Sequence, residues 1–391
     1  MKKLFSNLLF KVFIAIVLGI LFGLYLPESI NRIFTTFNAF FGQLLNFAIP
    51  LIIMGLIMPA ISDLGKGAGK LLLLTAGIAY GSTLFSGFMT YFVASGIFPQ
   101  LLESHVNNVA KIGGSAPELS PYFTITIPPA LDVMTALVFA FVIGLGLSYQ
   151  EKSSLKLVVK DFETIIMQLI ENVIVPLLPL FILGIFASMS FSGKVFSILS
   201  VFINIIGVIF ALHIIILLLQ YTIAGIVTKQ NPLKLLATMM PAYFTALGTQ
   251  SSAATIPVTL QQTLKNGVSE KIAGFVIPLC ATIHLSGSTM KITACAIALL
   301  ILQGMPFDFT LFAGFIFMLG IAMVAAPGVP GGAIMAAVGI LQSMLGFNDE
   351  MIGLMIALYI AMDSFGTACN VTGDGAIALV IEKITKEKLV A

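Results

Sequence analysis

The sequence has no tryptophan, only 3 cysteines and 3 histidines, and just 9% charged residues among its 391. Soluble domains carry roughly 25% charged residues, so this shortage excludes an ordinary water-soluble fold. Cys280, Cys295 and Cys369 lie inside apolar segments, with no C-x-x-C and no Cys/His pair at metal-ligand spacing. Neither a disulfide framework nor a zinc site is expected, and the three read as small core residues. A net charge of +2, without a basic stripe interleaved with aromatics, gives no footprint for nucleic acid. The chain also lacks a P-loop, a G-x-G-x-x-G turn and any Ser/His/Asp arrangement, so no enzyme class and no cofactor is indicated.

What the chain has instead is apolar length. Hydrophobic residues make up 59% of it and the mean hydropathy is +1.08. Runs long enough to cross a hydrocarbon core of about 30 Å lie near residues 8–27, 36–61, 71–98, 129–149, 164–192, 196–227, 272–302 and 351–381. We therefore expect an all-α multi-pass protein of eight spans. Lys2 and Lys3 open the first run without an A-x-A-like site after it, which reads as a retained helix. Basic residues collect in cytoplasmic loops. With both termini cytoplasmic, that side receives the terminal lysines with Lys66, Lys70, Lys152, Lys156, Lys160, Lys229, Lys234, Lys265 and Lys271, against Arg32, Lys111 and Lys194 outside.

Two apolar segments are interrupted. Residues 233–263 contain Pro241, Gly248, the polar run Thr249 to Ser252 and Pro257, and carry lysines on both flanks. A single crossing would invert the lysine sorting downstream, so a re-entrant hairpin from the cytoplasmic side is expected. Residues 309–345 contain Pro327, Gly328, Pro330, Gly331 and Gly332, with acidic flanks, and read as a hairpin from the outside. Non-helical backbone at membrane depth needs protein or a water-filled cavity around it. Paired broken segments are the best pointer in a sequence to a transporter's substrate site.

The last run holds "DSFGTACNVTGD". At 100° per residue, Thr367, Asn370 and Asp374 fall at roughly 40°, −20° and 20° from Asp363, one face of a helix. Such a face must look at protein, water or cations and not at lipid. Helix-packing residues satisfied by their neighbours are the bland reading, though two carboxylates exceed what packing needs. An intramembrane aspartyl protease is the sharper rival, but its two carboxylates must share a proton, and these two are about 16 Å apart along a regular helix. The seventh run, "PLCATIHLSGSTMKI", adds Thr282, His284, Ser286, Gly287, Ser288 and Lys291, and Gly287 between serines suggests unwinding there. His213 reads as a core histidine, and His105 falls in an expected external loop.

Together "TQSSAATIPVT", "PLCATIHLSG", "PGVPGGA" and "DSFGTACNVTGD" resemble the dicarboxylate/amino acid:cation symporter family, the glutamate transporter homologues. The resemblance is strong from about residue 235 onward. It implies a homotrimer in which a scaffold, mainly residues 1–228 apart from the third and sixth spans, stays fixed. A transport domain centred on 229–384 would move as an elevator. It implies that Asp363 binds a substrate amino group, that Ser251, Ser252 and Asn370 hold its carboxylate, and that Thr367 and Gly366 line its side chain. Val329 and Gly331 of the second tip would close over it. Sodium would couple transport through Asp374, Asn370 and backbone oxygens near Cys280 and His284, with a second site from Thr282 and the stretch containing Met323, Val324 and Ala326.

The departures from the family are specific. Its acidic-substrate members carry an arginine where this chain has Gly366, and an aromatic residue near that arginine is Lys291 here. Gly366 then leaves a vacant pocket suited to a neutral amino acid, unless Lys291 receives an acidic side chain or pairs with Asp363. His284 and Ser286 replace an asparagine and an aspartate of a third sodium site, so two sodium ions per cycle are expected, with Tyr80 and Thr83 as remaining oxygen donors. The resulting expectation is sodium-coupled symport of a small, neutral amino acid across the cytoplasmic membrane. The alternatives are an acidic amino acid or dicarboxylate carrier, with sodium or proton coupling, and an ion channel.

Overall fold

The computed structural model describes residues 8–63, 70–112, 119–150, 153–193, 195–326 and 330–390. No β-strand occurs among them. In chain order the helices are α1 (Leu8–Tyr25), α2 (Glu28–Asp63), α3 (Lys70–Ile112), α4 (Val133–Ser148), α5 (Ser154–Leu169), α6 (Val175–Phe191), α7 (Val195–Thr228), α8 (Pro232–Thr249), α9 (Ser252–Lys265), α10 (Glu270–Ile283), α11 (Ser286–Leu302), α12 (Phe309–Ala325), α13 (Gly332–Leu345), α14 (Asp349–Ala361) and α15 (Asp363–Val390). A π-helical turn, Ile170–Ile174, joins α5 to α6.

Helices start where a short polar side chain can take up an unsatisfied backbone N–H. Asn231 accepts from Leu233 and Lys234 at the start of α8, where Pro232 costs no hydrogen bond. Ser251, Asp308 and Asn348 do the same for α9, α12 and α14. Gly346, at φ +70°, ends α13 in a left-handed turn. The two segments expected to be hairpins are thus each a pair of helices packed on one another, α8 with α9 and α12 with α13.

Among the described residues, five stretches are long and apolar enough to cross a bilayer: Glu28–Ser62, Lys70–Leu102, Ser154–Phe191, Val201–Thr228 and Glu270–Leu302. The pair α14–α15 makes a sixth if counted as one span, but it bends by 61° at Met362. The helix of the fourth expected span is shorter than its apolar run. No helix is formed around Pro128 and Pro129, and α4 starts only after Asp132 caps it. Sixteen residues rise about 24 Å, less than a hydrocarbon core. His105, expected in a loop, sits on the continuation of α3.

Many large apolar side chains point outward, among them Phe13, Leu73, Val142, Ile203 and Ile226. Outward apolar surface of this extent suits a lipid solvent. Burial instead concentrates in α10–α11, where 89% of the apolar window is covered, against 28% in α3. Close helix approach is bought with glycine. A Cβ on Gly19 or Gly23 of α1 would lie 2.5 or 2.3 Å from the carbonyl oxygens of Leu183 and Ala187 on α6. That is the small-residue packing by which helices associate in membranes.

Candidate functional site

Two helix breaks lie close to one another, one between α10 and α11 and one between α14 and α15. Between α10 and α11, His284 and Leu285 leave helical geometry, so the last carbonyls of α10 lack intrahelical partners. The unwinding therefore falls two to three residues before Gly287, the residue at which the sequence suggested it. Gly287 is helical, and its role is close approach. A Cβ there would meet the Gly366 carbonyl oxygen at 2.6 Å and Cys369 Cβ at 2.7 Å on α15. Across from it, the bend at Met362 makes Asp363 the first residue of α15, a favourable end for a carboxylate.

Both hairpins reach this point. Gln250, at the turn between α8 and α9, adopts a left-handed conformation with φ 54° and donates from Nε2 to Ser364 Oγ at 2.7 Å. On the other side, the Gly331 N–H at the entry to α13 donates to Asp363 Oδ2 at 2.8 Å. Adjacent residues of α15 thus anchor the two turns.

Lys291, 1% exposed, sits against this junction. Its Nζ lies 3.3 Å from Asp363 Oδ1, 3.3 Å from the Met362 carbonyl oxygen and 3.8 Å from the centre of the Tyr359 ring. A charged amine can be held at such burial when paired, hydrogen-bonded and faced by an aromatic ring. The volume that glycine leaves at 366 is occupied by the same side chain, since a Cβ there would lie 2.3 Å from Lys291 Cε. The expected vacant pocket at Gly366 is therefore filled, and Lys291 is paired with Asp363.

One turn further along α15, the Asn370 side chain accepts from the Gly287 N–H at 2.8 Å and donates to Ser288 Oγ at 3.3 Å. Ser288 Oγ in turn lies 2.9 Å from the Tyr359 hydroxyl. Next, Asp374 Oδ1 is 2.9 Å from His284 Nδ1, and the other ring nitrogen is 3.0 Å from Ser82 Oγ on α3. Gln220 of α7 donates to both Ser82 and Ser286 hydroxyls, and Ser86 Oγ donates to the Ser286 carbonyl oxygen. The result is a polar chain across α3, α7, α11 and α15 inside an apolar bundle.

The residues singled out from sequence divide into two groups. Asp363, Gly366, Asn370, Asp374, Lys291, His284 and Gly331 come together as described. Ser251 caps α9 and Ser252 opens it, both beside the Gln250–Ser364 contact, while Thr367 is buried on α15. The Cys280 carbonyl accepts from the His284 N–H, and the Thr282 hydroxyl turns back to its own helix at Leu279. Met323 and Ala326 close the end of α12 with Val324 between them, and α12 packs on α10. Val329 lies outside the described residues. Tyr80 and Thr83, the expected oxygen donors, are engaged elsewhere: Tyr80 with the Phe317 carbonyl oxygen and Thr83 with that of Ala79.

Ser82, Ser86, Gln220 and Tyr359 were not legible as site residues, and Gln250 was legible only as part of the polar run at the first turn. A signal existed for the two serines, which stand four apart and so share a face of α3. Gln220 was the lone amide in "HIIILLLQY".

The profile of the sodium:dicarboxylate symporter family matches residues 8–384. Excitatory amino acid transporter 2 of Homo sapiens is 31% identical over 165 residues, 42% of this chain and 29% of that protein. Excitatory amino acid transporter 5 of Mus musculus is 31% identical over 163 residues, 41% of this chain and 29% of that protein. The aligned region thus spans less than a third of these relatives. With the profile covering nearly the whole chain, and with apolar helices suited to a multi-pass membrane protein, the chain belongs to the sodium:dicarboxylate symporter family.

Proposed function

We propose that the chain is a secondary active symporter that moves a small carboxylate-bearing solute across the cytoplasmic membrane, coupled to sodium. The observation that carries this reading is the meeting of two hairpin turns at Ser364 and Asp363, beside two helix breaks and a buried polar face. The solute's carboxylate lies at the start of α9, against Ser251, Ser252 and Asn370. Helix N-termini favour such anions. The second turn, with Val329 and Gly331, is the lid. Sodium is cargo: Asp374, Asn370 and backbone oxygens near Cys280 and His284 hold one ion, and Thr282 with Met323, Val324 and Ala326 holds a second. Two ions per cycle are proposed, because His284 and Ser286 stand where the family resemblance puts the asparagine and aspartate of a third site.

In this reading residues 229–384 form the core of a moving domain, the earlier helices are mainly scaffold in a homotrimer, α8–α9 and α12–α13 are re-entrant, and both termini are cytoplasmic. Sodium and solute raise each other's affinity by the same factor. The preference for a neutral amino acid rested on an open pocket at Gly366, and Lys291 occupies that volume. The reading is accordingly held at a small carboxylate. Its test is uptake of labelled serine, aspartate and succinate into proteoliposomes with and without an inward sodium gradient. Gradient-driven, saturable uptake of one of them is expected; uptake indifferent to sodium overturns the coupling, and non-saturable flux favours a channel.

A further inference from the structure

We infer that Lys291 sets the substrate class: its ammonium occupies the carboxylate that a substrate amino group would need, so the carrier takes a carboxylic acid without an amino group. The inference rests on the proposed carrier function and narrows its substrate.

An ammonium buried among helices must be met by an anion, since an unpaired charge there is costly. The carboxylates on the buried face of α15 where the turns meet are Asp363 and Asp374. Both oxygens of Asp363 are used, Oδ1 by Lys291 and Oδ2 by the Gly331 N–H. Asp374 lies one layer deeper, its Oδ1 on His284. Glu382, further along α15, is bound to the Ser269 hydroxyl and N–H. A substrate amine would have to share Asp363 with a second buried cation, or expel Lys291 into surroundings already closed by Gly366, Met362 and Tyr359.

Room for the lysine is itself part of the device. Only glycine at 366 permits Cε and Nζ to pass at 2.3 and 2.4 Å from the position of a Cβ. The Tyr359 ring covers the opposite side, and its hydroxyl is held by Ser288, which is held by Asn370. Lys291 is thus fixed as an internal ammonium on Asp363. This arrangement leaves the pair neutral and assigns charge recognition to the solute's carboxylate end. The chemistry that fits is a short mono- or dicarboxylic acid, and its α-amino analogue is discriminated against.

The experiment compares matched acids that differ by one amino group, succinate with aspartate and propionate with alanine. Their binding to the purified full-length protein is read as the shift of its thermal midpoint with sodium present. The wild type is expected to bind the amine-free member of a pair at least tenfold tighter. Lys291→Met should lower that ratio at least tenfold by opening Asp363 to the amine. Lys291→Met with Asp363→Asn should lose the gain, which a merely structural lysine would not produce. Equal or tighter binding of aspartate or alanine by the wild type overturns the inference, as does an unchanged ratio in Lys291→Met or no binding of any of the four. The wild-type ratio decides even if the variant does not fold. Sodium-independent uptake of a preferred amine-free acid would overturn the coupling and leave the inference standing.

Discussion

Gly366 and Lys291 share one space: a Cβ on the glycine would lie 2.4 Å from the lysine Nζ. The obstructing atoms belong to the flexible end of a side chain, so Gly366→Ala is expected to fold and to push the ammonium off Asp363. The measurable result is an apparent affinity for an amine-free acid weaker by about tenfold, which corresponds to about 1.4 kcal/mol, together with a lower thermal midpoint of the empty protein, because the displaced charge stays buried. An unaltered affinity would show that the placement of Lys291 is irrelevant to binding.

Gly366→Arg alone places a second cation in occupied space and should abolish uptake. Coupled with Lys291→Tyr, which restores the aromatic neighbour that the family resemblance assigns, it should recover uptake with a preference for aspartate. Recovery in the single variant, or none in the double, would contradict this packing argument.

His284 and Asp374 are 2.9 Å apart, and Ser286 joins the same polar chain through Gln220. Replacing His284 by Asn and Ser286 by Asp adds oxygen ligands and removes the imidazole. The sodium dependence of uptake should steepen, from a Hill slope near that of two ions towards three. A slope that stays the same would remove the explanation for fewer ions.

Gln250 is held at φ 54° and tied to Ser364. Gln250→Ala loses the tie and keeps the strained backbone, whereas Gln250→Gly loses the tie and relieves the strain. Left-handed geometry costs a residue other than glycine roughly 1–2 kcal/mol. The glycine variant should therefore be the more stable by about 1 kcal/mol, read from thermal midpoints. Equal stability would mean that the turn has relaxed.

A Cβ on Gly23 would lie 2.3 Å from a backbone oxygen, while one on Gly77 would meet nothing within 4 Å. Gly23→Val should lower stability by about 1–3 kcal/mol through overpacking. Gly77→Ala should leave it unchanged or raise it by about 0.5–1 kcal/mol. Unfolding in detergent, followed by loss of the monodisperse peak, compares the two.

Much of the architecture is readable before any fold is known. Pro, Gly and polar turn residues near 231, 250, 308, 330 and 348 become helix boundaries because they change backbone cost locally. The common face of Asp363, Thr367, Asn370 and Asp374 survives because a regular helix carries all four. The exact place of the unwinding was not readable. His284 and Leu285 leave the helix through what packs on them, and Gly287, the residue with intrinsic freedom, is helical because α15 comes too close for a side chain.

The sequence by itself determined that the chain is apolar, helical and interrupted in two places, and that its polar residues gather towards its C-terminal half. These are properties of composition and spacing, which act within a helix. Only the tertiary structure decided that Lys291 fills the gap at Gly366 and pairs with Asp363, and that His284 meets Asp374 and Ser82. Those pairings join residues separated by 72, 90 and 202 positions. Which partner a buried charge finds depends on how helices distant in sequence pack together, because the cost of leaving it unpaired is paid only once water has been excluded.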